Sequence, residues 1–292
     1  MIKIKLYRIP TGISSLDTII KGGFPSGSLV LLIGDVGAGN REFAYTSAVM
    51  LSQLKNDPSM YNAMKQQLGT LLMEKEELKF TSGICYISFV HSKEEILMEL
   101  ERSFPPGYAN ALSNNMFFKD FSSLYFKTSI SPALHVEDTM SINILKSVGG
   151  VKGLLNELVS ILEANAPNNL VIIDSLTNLI RICNKSMNWQ ELISFLEDLQ
   201  QRAKKWDGLV YLLLGRGIFE SMKEEEVMDV ADGVLIFEWI REAFSIQQTM
   251  YMKKFTGLMP HLTKDNIVRF DSMVTNTDGF VVINVKRISG RK

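Results

Sequence analysis

Cysteine is scarce in this chain, with two in 292 residues, and that leaves little room for a disulfide framework or a zinc site. Cys85 and Cys183 lie in or beside apolar runs, with no ligand spacing around them, and read as buried thiols of a cytoplasmic protein. Histidine is scarcer than its chemistry would need: His91, His135 and His261 have no partners at metal-binding spacing. Net charge is also missing. The 31 basic and 32 acidic side chains leave −1, so no global pull toward nucleic acid or an anionic membrane surface is expected. No apolar run approaches the ~18 residues of a membrane span. Met1–Ile9 alternates lysine with apolar residues and lacks the apolar core of a secretory signal. These absences together point to a soluble cytoplasmic protein with no metal and no membrane partner.

What is present is a strand–glycine turn–helix pattern. The apolar run Leu29–Ile33 leads into Gly34-Asp35-Val36-Gly37-Ala38-Gly39-Asn40-Arg41, and helical spacing follows from Glu42 to Leu54. Glycines between a buried strand and a helix let backbone N–H groups converge on an anion at the helix N-terminus. The phosphate-binding pattern closes on Lys and then Ser/Thr. Asn40 and Arg41 hold those two places.

Further apolar runs at Ile84–Phe89, Leu170–Ile173, Leu209–Leu214 and Val234–Phe237 alternate with helical stretches at 41–54, 93–103, 151–163 and 188–205. That is the spacing of a doubly wound, mostly parallel sheet. Ser92 with Glu95 reads as a capping box for the second of these helices. After Glu238 the pattern changes to apolar/polar alternation over 247–254, 266–273 and 280–285, as antiparallel strands would show, with a hairpin turn at Thr277-Asp278-Gly279. Leu124–Thr128 reads as a short strand, 107–123 and 129–146 as irregular, and Tyr61–Lys79 as an amphipathic helix. The chain is accordingly expected to be one α/β domain over 1–292 with a helical insertion at about 55–80. That insertion is either an extra helix on the rim or a docking element for a protein partner.

In order and spacing, Thr11-Gly12-Ile13, Leu16-Asp17, Gly22-Gly23, the 34–41 loop, Ile172-Ile173-Asp174-Ser175-Leu176, Ala231-Asp232-Gly233 and Lys254-Phe255-Thr256-Gly257 resemble the KaiC-like branch of the RecA superfamily of P-loop ATPases. The resemblance implies a three-layer fold around a mostly parallel sheet and ATP held at the interfaces of a homo-oligomer. It implies that Gly34–Arg41, Asp174 and Lys254 are the cofactor-binding positions. It also exposes departures. A Lys at position 40 would reach the β/γ-phosphates; a charge-assisted bond of that kind contributes about 1.5–3 kcal/mol, so Asn40 weakens phosphate binding roughly 10–100-fold. A Ser/Thr at 41 would hold Mg²⁺, which Arg41 cannot do. The catalytic Glu position falls on Phe89-Val90-His91, Gly215 replaces a polar residue, and Thr256 replaces the arginine that would reach a neighbour's γ-phosphate.

Asp174 then has two readings, a Walker B carboxylate or a strand-end Asp capped by N–H groups. Arg41 has two as well: a guanidinium standing where Mg²⁺ would lie, or a solvent-pointing residue of the first helical turn. The expected function is a regulatory or binding module with a degenerate Walker A motif, no catalytic residues, and weak, metal-independent ATP binding or none. The alternatives are a divergent ATP-binding protein that uses Arg41 in place of the metal, and a DNA recombinase-like protein. The acidic run Glu220–Glu226, read as a solvated face, argues against the last of these.

Overall fold

The computed structural model of the protein describes residues 5–122, 150–242, 245–265 and 267–287. The elements over the first described segment are β1 (Leu6–Ile9), α1 (Ser14–Ile19), β2 (Phe24–Pro25), β3 (Ser28–Gly34), α2 (Asn40–Asn56), α3 (Pro58–Gly69), β4 (Glu76–Leu78), β5 (Ile84–Ser88), α4 (Lys93–Ser103), α5 (Tyr108–Asn115) and β6 (Met116–Asp120). They continue as α6 (Gly150–Asn165), β7 (Leu170–Asp174), α7 (Leu176–Cys183), α8 (Trp189–Trp206), β8 (Leu209–Gly215) and α9 (Ser221–Val230). The last are β9 (Gly233–Glu242), β10 (Ser245–Phe255), α10 (Met259–Lys264), β11 (Ile267–Thr275) and β12 (Gly279–Arg287).

Nine strands form the main sheet, in the order β12-β11-β10-β9-β3-β8-β7-β5-β6. From β9 to β6 every pairing is parallel, and β9-β10, β10-β11 and β11-β12 are antiparallel. The period of two explains why the inner strands are continuously apolar. Leu29, Leu31 and Ile33 of β3 face one core with α6, α7 and α8, while Val30 and Leu32 face another with α2, α4 and α5. A strand covered on both faces needs an apolar residue at every position. The sheet with a helical layer on each side is the three-layer arrangement expected from the sequence.

Three segments differ from their sequence-based reading. The 61–79 stretch is a helix only to Gly69. Asp57 caps α3 with Pro58 in its first turn, and after Gly69 the chain turns into β4, which pairs parallel with β1 in a small second sheet. Its Glu76 forms a buried ion pair with Arg8, Nη2 to Oε1 2.6 Å, a long-range contact that local periodicity cannot show. Residues 108–120 are not irregular: Gly107 starts α5 in a left-handed conformation, and β6 pairs with β5 at the sheet edge. The Glu220–Glu226 run is a solvated face only in part: Glu220 and Glu225 are exposed, whereas other carboxylates turn inward. Glu224 is buried and accepts from the Phe219 N–H, Glu225 pairs with Lys253, and Glu226 accepts from the Trp189 indole. The strand read at 124–128 and His135 lie outside the described residues.

Candidate functional site

The loop between β3 and α2 sits at the carboxyl ends of the parallel strands, where open α/β sheets bind ligands. Gly39 ends the loop at φ 100° and starts α2 without any side-chain cap, so the first N–H groups of the helix are unspent. A Cβ on Gly39 would lie 3.1 Å from the Phe280 ring, so the backbone here passes close over β12. Beneath it, Phe43, Phe237 and Phe280 pack edge to face, with centroids 5.4–5.8 Å apart. The loop is also tied from outside. The Trp239 indole donates to the Val36 carbonyl at 3.0 Å, and Gln248 donates to the Gly37 carbonyl at 2.9 Å. Within the loop, the Asp35 N–H donates to the Phe237 carbonyl and the Ala38 N–H to the Asp35 carbonyl, both at 3.0 Å, so the uncapped start of α2 is what the loop offers an anion.

The two departures from the phosphate-binding pattern have defined places. Asn40 folds back: its Nδ2 donates to the Leu32 carbonyl at 3.2 Å, and its side chain packs where a Cβ on Gly34 would otherwise be. Arg41 does not point to solvent. Its Nη2 lies 3.3 Å from Asp174 Oδ1, with the carboxylate wholly buried and the guanidinium 32% exposed. Tyr86 donates to the other oxygen, Oδ2, at 2.7 Å. Burial disfavours the Arg41 charge, but Asp174 and the neighbouring Tyr45, Tyr86 and Glu99 outweigh it and raise its pKa. Burial, then Asp174, pushes the Tyr86 hydroxyl well up, so it stays a donor. A carboxylate already facing a guanidinium and a phenol does not fit a divalent cation. Among the described residues, no cluster of His, Cys, Asp and Glu could hold a metal ion.

An open cleft of about 560 Å³ joins these groups. Gly34, Asp35, Val36, Gly37, Asn40, Arg41 and Asp174 line it; Ala38 is buried in the core and Gly39 sits on Phe280. Lys254 is elsewhere. It pairs across from Val234, near the start of β9, whereas Gly34 is level with Phe237, and its Nζ contacts the Asp229 carbonyl at 2.5 Å. His91 does not line the cleft; its Nδ1 is 3.8 Å from Glu95 within the capping box of α4. Val90 takes that wall and Phe89 stacks on Phe121.

Several contributors were not legible in the sequence. Thr177, Asn178 and Arg181 share one side of α7 at helical spacing and line the cleft. Tyr86 lies two residues before Ser88, which pairs with Asp174, so both side chains project from the same face. Strand register alone would have brought them together. Trp239 and Gln248 pair directly across β9 and β10, which no local pattern reveals.

No protein-family model matches the chain, and no curated protein matches it in sequence. Solved structures do. The KaiC-like protein PH0186 from the hyperthermophilic archaeon Pyrococcus horikoshii OT3 superposes at a TM-score of 0.60, with 15% identity, over 96% of this chain and 100% of that one. The flagellar accessory protein FlaH from Methanocaldococcus jannaschii gives 0.59, with 15% identity, over 92% and 95%. The fold is KaiC-like, of the RecA P-loop type. Two carboxylates of the motifs read in the sequence hold backbone in this fold. Asp17 is buried and accepts from Thr11 N–H and Oγ1 and from Gly12 N–H, at 2.7–2.9 Å. Asp232 accepts from Leu29 N–H and Gln200.

Proposed function

We propose that this KaiC-like protein is a non-hydrolysing binding or regulatory module, whose loop takes the phosphate of a nucleotide without a divalent metal. The observation that carries this is the Arg41–Asp174 ion pair. Phosphoryl transfer depends on positioning and on neutralising developing charge through a metal, a lysine and a positioned base or water. Asn40 turned onto Leu32, Arg41 on Asp174 and Val90 on the cleft wall supply none of these. What remains is a glycine loop leading into a helix start without a side-chain cap, which is an anion-binding arrangement. Arg41 takes the role of the metal as the counter-charge of Asp174. The acidic α9 and the near-zero net charge speak against a DNA-binding function. Assembly into a homo-oligomer belongs to the same proposal, and light scattering with and without ATP tests it.

Phosphate release from ATP in the presence of Mg²⁺ is expected not to exceed that of buffer alone. Sustained turnover that Asp174→Ala abolishes would overturn the reading.

A further inference from the structure

One wall of the cleft, apart from the loop, is built from α7 and the end of β8. Gly215 has no side chain there. A Cβ on it would run into Ile218 Cδ1, so Ile218 lies over the strand end and gives the cleft an apolar floor, with Val90 beside it. The Gly215 N–H is spent on Thr177 Oγ1 at 2.9 Å. Asn178, the next residue of α7, is only 7% exposed and lines the same cleft, yet its side-chain amide makes no hydrogen bond among the described residues. An amide so buried costs about 1–3 kcal/mol unless something meets it. Arg181 follows three residues later, on the same side of the helix. It lines the cleft, is exposed, and makes no ion pair or hydrogen bond among the described residues. A buried amide and a guanidinium, both unspent, thus sit together above an apolar floor.

We propose that this wall binds a small carboxylate with an apolar body, a ligand group separate from the phosphate assigned to the loop. The Arg181 fork can take both carboxylate oxygens, and the Asn178 amide adds N–H donors beside it. One cation matches a monoanion. Glu42, in the first turn of α2, lines the same cleft and weighs against a second negative charge. Val90 and Ile218 take the apolar body, as the walls of small-molecule sites do. Asn178 Oδ1 remains to accept from an amino or hydroxyl group next to the carboxylate.

Calorimetry on the full chain with isocaproate, leucine, isocaproamide and inorganic phosphate tests this. Isocaproate is expected to bind at millimolar concentration or below, about 10-fold or more tighter than the uncharged isocaproamide. Leucine tighter than isocaproate supports the site with Asn178 Oδ1 engaged by the ligand; equal affinities support it with the carboxylate alone read. Arg181→Ala is expected to weaken isocaproate about 10–100-fold and Asn178→Ala about 2–10-fold. Asn178→Asp, which keeps the shape and adds a like charge, is expected to abolish binding, with circular dichroism confirming that the fold is intact. Isocaproamide binding as well as isocaproate would overturn the inference. So would an unchanged affinity in Arg181→Ala or in Asn178→Asp, or no carboxylate binding at millimolar concentration. Phosphate that binds tighter than isocaproate and is weakened as strongly by Arg181→Ala would assign Arg181 to the loop and overturn it too. ATP turnover is measured independently of all these, so this inference and the non-hydrolysing reading fail separately.

Discussion

Asp17 and Asp174 are both fully buried carboxylates, and they do opposite work. Asp17 closes a turn on itself. Its three donors come from Thr11 and Gly12, all neutral, and burial pushes its pKa up to about 7 while those hydrogen bonds pull the other way. Asp174 reaches across elements to a cation on α2 and a phenol on β5. The first belongs to the architecture, the second to the cleft, where it faces the Arg41 guanidinium. The difference teaches that a buried carboxylate can serve the fold or the cleft: Asp17 is required because buried N–H groups need an acceptor, independently of what the cleft binds.

Removing each acceptor or partner should expose that contrast. Asp17→Ala leaves two buried backbone N–H groups unpaired and should cost about 2–5 kcal/mol of stability in a denaturant titration, with loss of the native state as the extreme. An unaltered midpoint would mean that the turn is not held as described. Arg41→Ala strips the cation from a buried carboxylate. A fully buried pair costs about 3–5 kcal/mol to break; with the guanidinium one-third exposed, about 1–2 kcal/mol is expected. Stability equal to wild type would deny that Arg41 neutralises Asp174.

A smaller effect is written in pH. A carboxyl raised in the folded state favours the protonated fold, so its contribution is full below the unfolded value of about 3.9 and is lost as pH rises through about 7. The stability difference between wild type and Asp17→Asn should therefore shift in favour of the variant between pH 4 and 7. A flat difference across that range would place the Asp17 pKa at an ordinary value.

Much of the fold was legible because its signals are local. Leu29–Ile33, Leu170–Ile173 and Leu209–Leu214 are apolar at every position since both sheet faces are covered, and Ser92 with Glu95 forms the expected capping box. The turn at 277–279 joins β11 to β12 as read. What was missed depends on distant partners: β4 exists because β1 lies beside it, and within the otherwise exposed acidic run Glu226 meets Trp189 and Glu225 meets Lys253. The candidate site divides in the same way. The loop was readable from its glycines, but the choice between a solvent-pointing Arg41 and one facing Asp174 needed the separation of α2 from β7. Tyr86, Trp239 and Arg181 enter through strand register and helix face, which composition does not carry.

The central claim is that Arg41 stands in for the divalent metal at Asp174. Electron paramagnetic resonance of Mn²⁺ with ADP, recorded with wild-type protein and with Arg41→Ser, tests it directly. The account predicts that wild type leaves the Mn²⁺–ADP spectrum as it is in buffer, whereas Arg41→Ser, with Asp174 released and a hydroxyl restored, takes up Mn²⁺. One Mn²⁺ held per wild-type chain, lost on Asp174→Ala, would contradict it.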